Sequence, residues 1–459
     1  MSATKTVVDF CSNLRYEVLS PDVINRVKYL ALDFLGVTAR GSLTKSAEIV
    51  RNFAKDMTPT AKESAIIGSD TKSTCQYAAL ANGTASHSLE LDDVSNEASA
   101  HPGVVVFPTA LATGELTRCD GKRFIEGVVL GYEVMIRLGK ALNPANHYAR
   151  GFHPTGTCGA FGAAITASKI LNLDAKQMLS ALGIVGSQAA ASMEFLTNGA
   201  WTKRLHPGWA AHNGIIAALL AKRGFVGPST IIEGKLGFLH AYSDDSDVGK
   251  FFTGLGDHFE IMRVSVKPHA CCRYKQGPID GILKIMSENK LKAQEIRKVT
   301  LGILKAGFPI IAEPKELKYS PRSVVDAQFS MPFGAAVATL YGRASLDEYI
   351  EDNLGSPKVK EMMGKVSCVL DPELDKVYPL QWPATVEINT KDGRRFYTRI
   401  EYPKGDPENP LSWYELIQKF NELSSPVFSR DRRRKIISVV SSLETKVSIS
   451  NLAILLSTS

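Results

Sequence analysis

Apolar residues at Ile24, Val27, Ala31 and Phe34, flanked by Leu30 and Leu35, recur at the 3.6-residue period of a helix with one buried face. Ser20-Pro21-Asp22 precedes them and reads as a helix start: a capping hydroxyl, a proline in the first turn, an acid at the positive end. Such segments follow one another to about residue 262. The stretch from Thr155 to Leu171 opens with Gly156, Gly159 and Gly162 and then runs through alanines, and Asp174 is placed to cap the next helix. That density of small residues predicts helices packed very closely, since β-branched alternation is scarce. After about residue 262 the period changes. Lys298–Leu304 and Lys365–Leu370 read as strands. Ala384–Thr390 and Arg395–Glu401 read as a hairpin turning at Asp392-Gly393. Helices are expected at about 277–289 and 325–342, and again from about 410. The pattern therefore predicts a mainly α protein, a large all-helical domain with a smaller α/β (α+β) domain.

The 459 residues suffice for two domains, and 44% hydrophobic with 22% charged residues is ordinary for a globular enzyme. No apolar run reaches the roughly 18 residues of a membrane span. The N-terminal residues resemble neither a secretory nor a transit peptide, so a cytoplasmic enzyme is expected, with no membrane partner. Seven cysteines, with only Cys271 and Cys272 close together, suit a reducing compartment; that pair reads as small buried residues. The net charge of +7 is partly local, in Arg430, Arg432, Arg433, Arg434 and Lys435. An apolar stretch follows them, so they read as the basic start of an amphipathic helix, and no nucleic-acid partner is expected.

Chemistry concentrates in three segments. Gly199–Gly208 carries Lys203, Arg204 and His206 directly after a run of small apolar residues, Ile184–Met193, that is expected to be buried. Cations set in a core-like segment need a partner, because an unpaired buried charge is costly. A small polycarboxylate would supply one. Ser86–Gly103 carries Glu90, Asp92, Asp93 and His101, and Arg150–Gly159 carries His153. Each of His101, His153 and His206 precedes a proline, which disfavours helical dihedrals, so each is expected at a helix edge or turn. Histidine suits general acid–base work near neutral pH, and lysine and arginine suit developing negative charge. The carboxylates before His101 are placed to orient it. There is no Gly-x-Gly-x-x-Gly after a strand, phosphate loop, His-Glu-x-x-His or Gly-x-Ser-x-Gly. Metal-ligand spacing is absent too, so neither metal nor cofactor is expected. The Gly156, Gly159, Gly162 spacing is better explained by helix packing than by a phosphate.

These segments, with Tyr29–Gly36, Glu90–Asp93 and Lys267–Tyr274 running on to Asp280, resemble the MmgE/PrpD family, which includes 2-methylcitrate dehydratase, cis-aconitate decarboxylase and iminodisuccinate epimerase. The resemblance implies a helical domain of residues 1–262 and 408–459, interrupted by an α/β domain of 263–407, with the site between them. It implies His101, Lys203 and His153 as catalytic residues. Asp93, Arg204, His206, Lys267 and Gln276 are implied as substrate-binding residues, and a homodimer is implied. His269 replaces an aromatic residue usual in the family. Gln276 stands where decarboxylase-like members have histidine, and Phe333 where some have a phenol. Both changes favour dehydration of a small di- or tricarboxylate, with epimerisation as the alternative, over decarboxylation. A helical scaffold binding an acidic protein ranks last, because near-neutral histidines add little to one.

Overall fold

The computed structural model describes residues 2–197 and 199–458. By internal contacts the chain divides into two units, Met1–Ser88 with Asp92–Val264 and Ser412–Ser459, and Leu89–Leu91 with Ser265–Leu411. It is a mainly α fold with a smaller α/β part.

As far as residue 222, the helices of the first unit among the described residues are, in order, α1 Ala3–Asn13, α2 Pro21–Gly41, α3 Lys45–Met57, α4 Cys75–Ser86, α5 Gly103–Thr117, α6 Gly121–Ala141, α7 Pro144–Ala149, α8 Pro154–Ile170, α9 Ala175–Gly186 and α10 Thr202–Lys222. Two-residue strands at Ser64–Ala65 and Lys72–Ser73 pair antiparallel, a small departure from helix throughout. Helix α2 starts as its sequence predicts, with Ser20 Oγ accepting from the Val23 amide, and the Asp174 side chain caps α9 in a capping box with Gln177. From Val27 to Ala39 α2 is buried all round, because helix Trp413–Ser424 lies against it. Lys419 reaches Asp33 at 2.6 Å, and a Cβ on Gly36 would meet Phe420 Cα at 3.2 Å. The basic run opens helix Arg430–Ser441, capped by Ser429.

Glycines set how closely α4, α8 and α10 approach. A Cβ on Gly83 of α4 would lie 2.6 Å from Gly208 Cα of α10, and one on Gly214 would lie 2.4 Å from Ala163 Cβ of α8. No side chain fits at either crossing. The expected buried run before α10 differs in detail. Ile184, Val185, Ala189 and Ala191 are buried, but Ser187, Ala190 and Ser192 face solvent, and Lys203, Arg204 and His206 are half-buried. Helix α9 ends at Gly186, so helical periodicity no longer carries the later residues inward.

The second unit holds a four-stranded sheet ordered Val366–Leu370, Ile296–Ile303, Ala384–Thr390, Arg395–Ile400. The first pair is parallel (Val299 opposite Val366); the others are antiparallel. The hairpin turns at Gly393, whose φ of +89° suits glycine. Helix Gln276–Glu288 packs on the sheet where Gly281 leaves room for Val386. The helix expected at 325–342 is two, Val324–Gln328 and Met331–Tyr341. Ser330 caps the second, whose next residue after Met331 is proline, and the chain re-enters helix there.

Candidate active site in the helical unit

His87 is the residue that ends α4, and it is fully buried. The chain then reverses through Glu90, held at φ +57° in the left-handed region, where a non-glycine residue is strained. That reversal returns Asp92 beneath the ring five residues earlier: Asp92 Oδ2 lies 2.9 Å from His87 Nδ1. The same oxygen lies 2.8 Å from His101 Nδ1, which also meets the Asp93 carbonyl at 2.7 Å. The His101 amide donates to Thr155 Oγ1 near the start of α8 (3.1 Å). One carboxylate oxygen thus serves two imidazoles. Both Nδ1 atoms face acceptors, so both carry a proton, and in a neutral ring the lone pair is then on Nε2.

His153 is the N-cap residue of α8, fixed by its amide on the Ala191 carbonyl (3.0 Å). His153 and His101, which stands two residues before α5, meet the expectation that His-Pro marks a helix edge. His206 does not: it lies inside α10, at its fifth residue, with Pro207 after it. Close packing of α10 on α4 and α8 overrides the local preference. His206 Nδ1 sits 3.1 Å from His153 Nδ1, with ring centroids 5.3 Å apart. His87 stacks on His153 at 5.8 Å and approaches His101 at 5.0 Å. Four imidazoles therefore form one continuous cluster.

The Lys203 ammonium acts on three of these rings. Burial foremost, then the nearby charges, holds His206 down to about 4 and His153 well below its usual value. His87 is held down to about 4 by burial, against the pull of Asp92. These three are neutral at neutral pH. Arg204 donates to Ser46 Oγ at 3.3 Å. Asp93 is pushed up to about 7, first by burial, and its carboxyl accepts from Tyr132 (2.6 Å) and from the Gly103 amide (2.9 Å) at the start of α5. Expected to bind substrate, Asp93 here uses both oxygens to hold α5 to α6.

The second unit places the remaining expected residues. Lys267 is buried, with Nζ 3.3 Å from the Glu90 carbonyl and 3.9 Å from its carboxylate. The Gln276 amide is committed to the loop before it: Oε1 accepts from the His269 amide, and Nε2 donates to the carbonyls of His269 and Cys271. This is a loop-bracing arrangement. His269 pairs with Asp280 at 2.8 Å, and Phe333 is buried.

His87, Asp92 and His101 bring three potential ligand atoms within 4.8 Å of one another. The His87 Nδ1 proton is already given to the carboxylate and that of His101 to the Asp93 carbonyl, so both nitrogens are engaged within the protein. A metal would have to displace those protons. Sequence reasoning missed His87. Its only signal was the five-residue spacing to Asp92, which means nothing until Glu90 reverses the chain.

Residues 5–250 match the MmgE/PrpD N-terminal domain and residues 269–445 the MmgE/PrpD C-terminal domain. The chain belongs to the MmgE/PrpD family. Among curated relatives it is similar to the cis-aconitate decarboxylase-like protein oryM of Aspergillus oryzae, 28% identical over 99% of this chain and 97% of that one. It is also similar to cis-aconitate decarboxylase of Aspergillus terreus (27% identical, 99% and 95% covered) and of Homo sapiens (28%, 96% and 92%). Among the described residues, no helix is long and apolar enough to cross a membrane.

Proposed function

We propose that the protein is a cofactor-independent lyase that dehydrates a small hydroxylated di- or tricarboxylate, in the manner of 2-methylcitrate dehydratase. Family membership and the names of the relatives support a lyase of dehydratase or decarboxylase type. The observation that carries the dehydration reading is His101 with Nδ1 on Asp92 at 2.8 Å. A carboxylate behind an imidazole fixes its tautomer and stabilises the imidazolium formed when Nε2 takes a proton. His101 then removes the proton from the carbon beside a carboxylate. The Lys203 ammonium faces the charge that develops there, and His153 protonates the departing hydroxyl. Arg204 binds a remaining carboxylate, His206 stands behind His153, and Asp93 and Gln276 hold the framework. Loss of carbon dioxide is the second reading, favoured by the relatives' names; it needs a proton donor but no base. Epimerisation is the third, and needs acid–base groups on both faces of one carbon.

Incubating the protein with 2-methylcitrate and cis-aconitate in deuterated water separates these readings. Alkene formation without carbon dioxide supports dehydration. Carbon dioxide release, or deuterium uptake with inversion and no alkene, points to the other two. His101→Ala is expected to lower turnover at least about a hundredfold, and near-normal turnover in it would sink the assignment. Activity is expected to survive chelation; loss with EDTA that a divalent ion restores would overturn the cofactor-free reading. We further propose a cytoplasmic homodimer. A row of rings on α3, α4 and α10 supports this apolar association: Phe53–Tyr77 at 5.9 Å, Tyr77–His212 at 5.2 Å and His212–Trp209 at 5.0 Å, with Phe53 and Trp209 exposed. A one-chain mass by light scattering at micromolar concentration would refute it.

A further inference from the structure

The contact between His153 and His206 is unusual in kind. Two imidazoles meet Nδ1 to Nδ1 at 3.1 Å, so one nitrogen must donate and the other accept. The accepting ring then carries its proton on Nε2. Neither Nε2 is hydrogen-bonded within the protein among the described residues. The pair is graded in exposure: His153 is buried and His206 half-buried. Phe195 is buried against both rings, with centroids 6.4 Å from His153 and 6.0 Å from His206. An apolar ring there keeps water off the N–H···N bond, so a proton passes along it more readily than around it.

We propose that His206 and His153 form a two-ring proton relay between solvent and the substrate, an inference that rests on the reading of His153 as the proton donor. In the starting state His206 Nδ1–H donates to His153 Nδ1, and His153 carries its own proton on Nε2. Solvent delivers a proton to His206 Nε2, the Nδ1 proton of His206 crosses to His153 Nδ1, and His153 releases its Nε2 proton to the departing hydroxyl. One proton enters and one leaves, and each ring exchanges tautomer. In the return stroke the water that replaces product gives a proton to His153 Nε2 and takes the one His101 holds. The Nδ1 proton goes back to His206, and His206 Nε2 returns a proton to solvent. The return stroke therefore carries out the proton that His101 abstracted. Both rings are held neutral by burial and by their cationic neighbours, so neither stores the proton in transit.

His206→Asn tests the relay. An amide in that place can still donate to His153 Nδ1, but it cannot take a proton at one end while releasing one at the other. With 2-methylcitrate as substrate, kcat is expected to fall about a hundredfold, the scale of a lost acid–base group, with KM within about twofold. In His206→Ala, which leaves a vacant ring site, added imidazole is expected to restore about tenfold. Wild-type kcat in His206→Asn, or a loss confined to KM as an anion-binding role would give, overturns the relay. His101→Ala separates the two failures. If it is inactive while His206→Asn turns over normally, only the relay is wrong; if it is active, the site itself is misassigned.

Discussion

His87 is not expected to touch substrate, yet it meets the same carboxylate oxygen as His101, the proposed base. Asp92 Oδ2 accepts from His87 Nδ1 at 2.9 Å and lies 2.8 Å from His101 Nδ1, whose hydrogen bond goes to the Asp93 carbonyl at 2.7 Å. His87→Leu removes the donor on Asp92 and leaves the carboxylate's charge to His101. A hydrogen bond to a charged group contributes about 1.5–3 kcal/mol. At about 1.4 kcal/mol per pH unit, transferring that to the imidazolium moves its protonation by up to about two units. The groups facing the triad are Asp92 itself, the His153 ring and the Lys203 ammonium, with Asp33 and Asp93 near Asp92, and the substitution replaces none of them. The assay is kcat/KM against pH. The acid limb of His87→Leu is expected to shift upward by about one to two units, so that activity lost at neutral pH returns in mild base. His87→Asn, whose amide can donate from near the Nδ1 position, is expected to keep the wild-type limb. A folded His87→Leu protein with an unmoved limb would show that His87 only fills space.

Two further predictions concern stability. Arg137 is fully buried and holds Glu133 at 2.6 Å together with the carbonyls of Phe251, Thr253, Gly254 and His258. Arg137→Met strands a buried carboxyl and four carbonyls, and urea denaturation is expected to show a loss of about 3–5 kcal/mol; a loss under about 1 kcal/mol would mean water replaces the guanidinium at little cost. His147 is buried with both ring nitrogens engaged, on the Tyr242 carbonyl and Thr157 Oγ1, and burial holds it down to about 4. Its folded value lies below its unfolded value of about 6.5. The stability it contributes is therefore present above pH 6.5 and is lost as pH falls from there towards 4. His147→Gln, which cannot charge, is expected to lose about 2 kcal/mol less than wild type between pH 7.5 and 5; equal losses would refute the assignment.

How far the sequence could be read follows from what each signal depends on. Periodicity and caps are local, so the start of α2, the cap of α9 and the Asp392-Gly393 hairpin are legible residue by residue. The small residues in α8 and α10 announced close packing, and the Gly83–Gly208 and Gly214–Ala163 crossings are its form. The family segments pointed to His101, His153 and Lys203. What stayed hidden depends on chain reversal or on helices meeting. Asp92 lies against two rings because Glu90 takes a left-handed conformation, which no composition rule predicts for glutamate. His206 lies in helix despite the following proline, because tertiary packing outweighs a local preference. Asp93 and Gln276 are polar side chains expected to face substrate, and residue type cannot show which hydrogen bonds they make within the fold.

The same burial that hides these residues explains why the cluster suits proton traffic. Three imidazoles around the Lys203 ammonium would repel it and one another if they charged, and their depressed proton affinities keep them neutral. A neutral imidazole both accepts and donates, whereas an imidazolium only donates. On the proposed function, a di- or tricarboxylate arriving beside Lys203 changes that balance. Its negative charge opposes the ammonium's effect on His153 and His206 and raises their proton affinity, because an opposite charge nearby favours the charged form. On this account the substrate prepares its own acid. The rings are poor cations while the site is empty and become better proton carriers once an anion is bound. The reverse arrangement, a cluster of imidazoliums awaiting substrate, would bind anions more strongly at rest, but it would have no lone pair with which to move a proton.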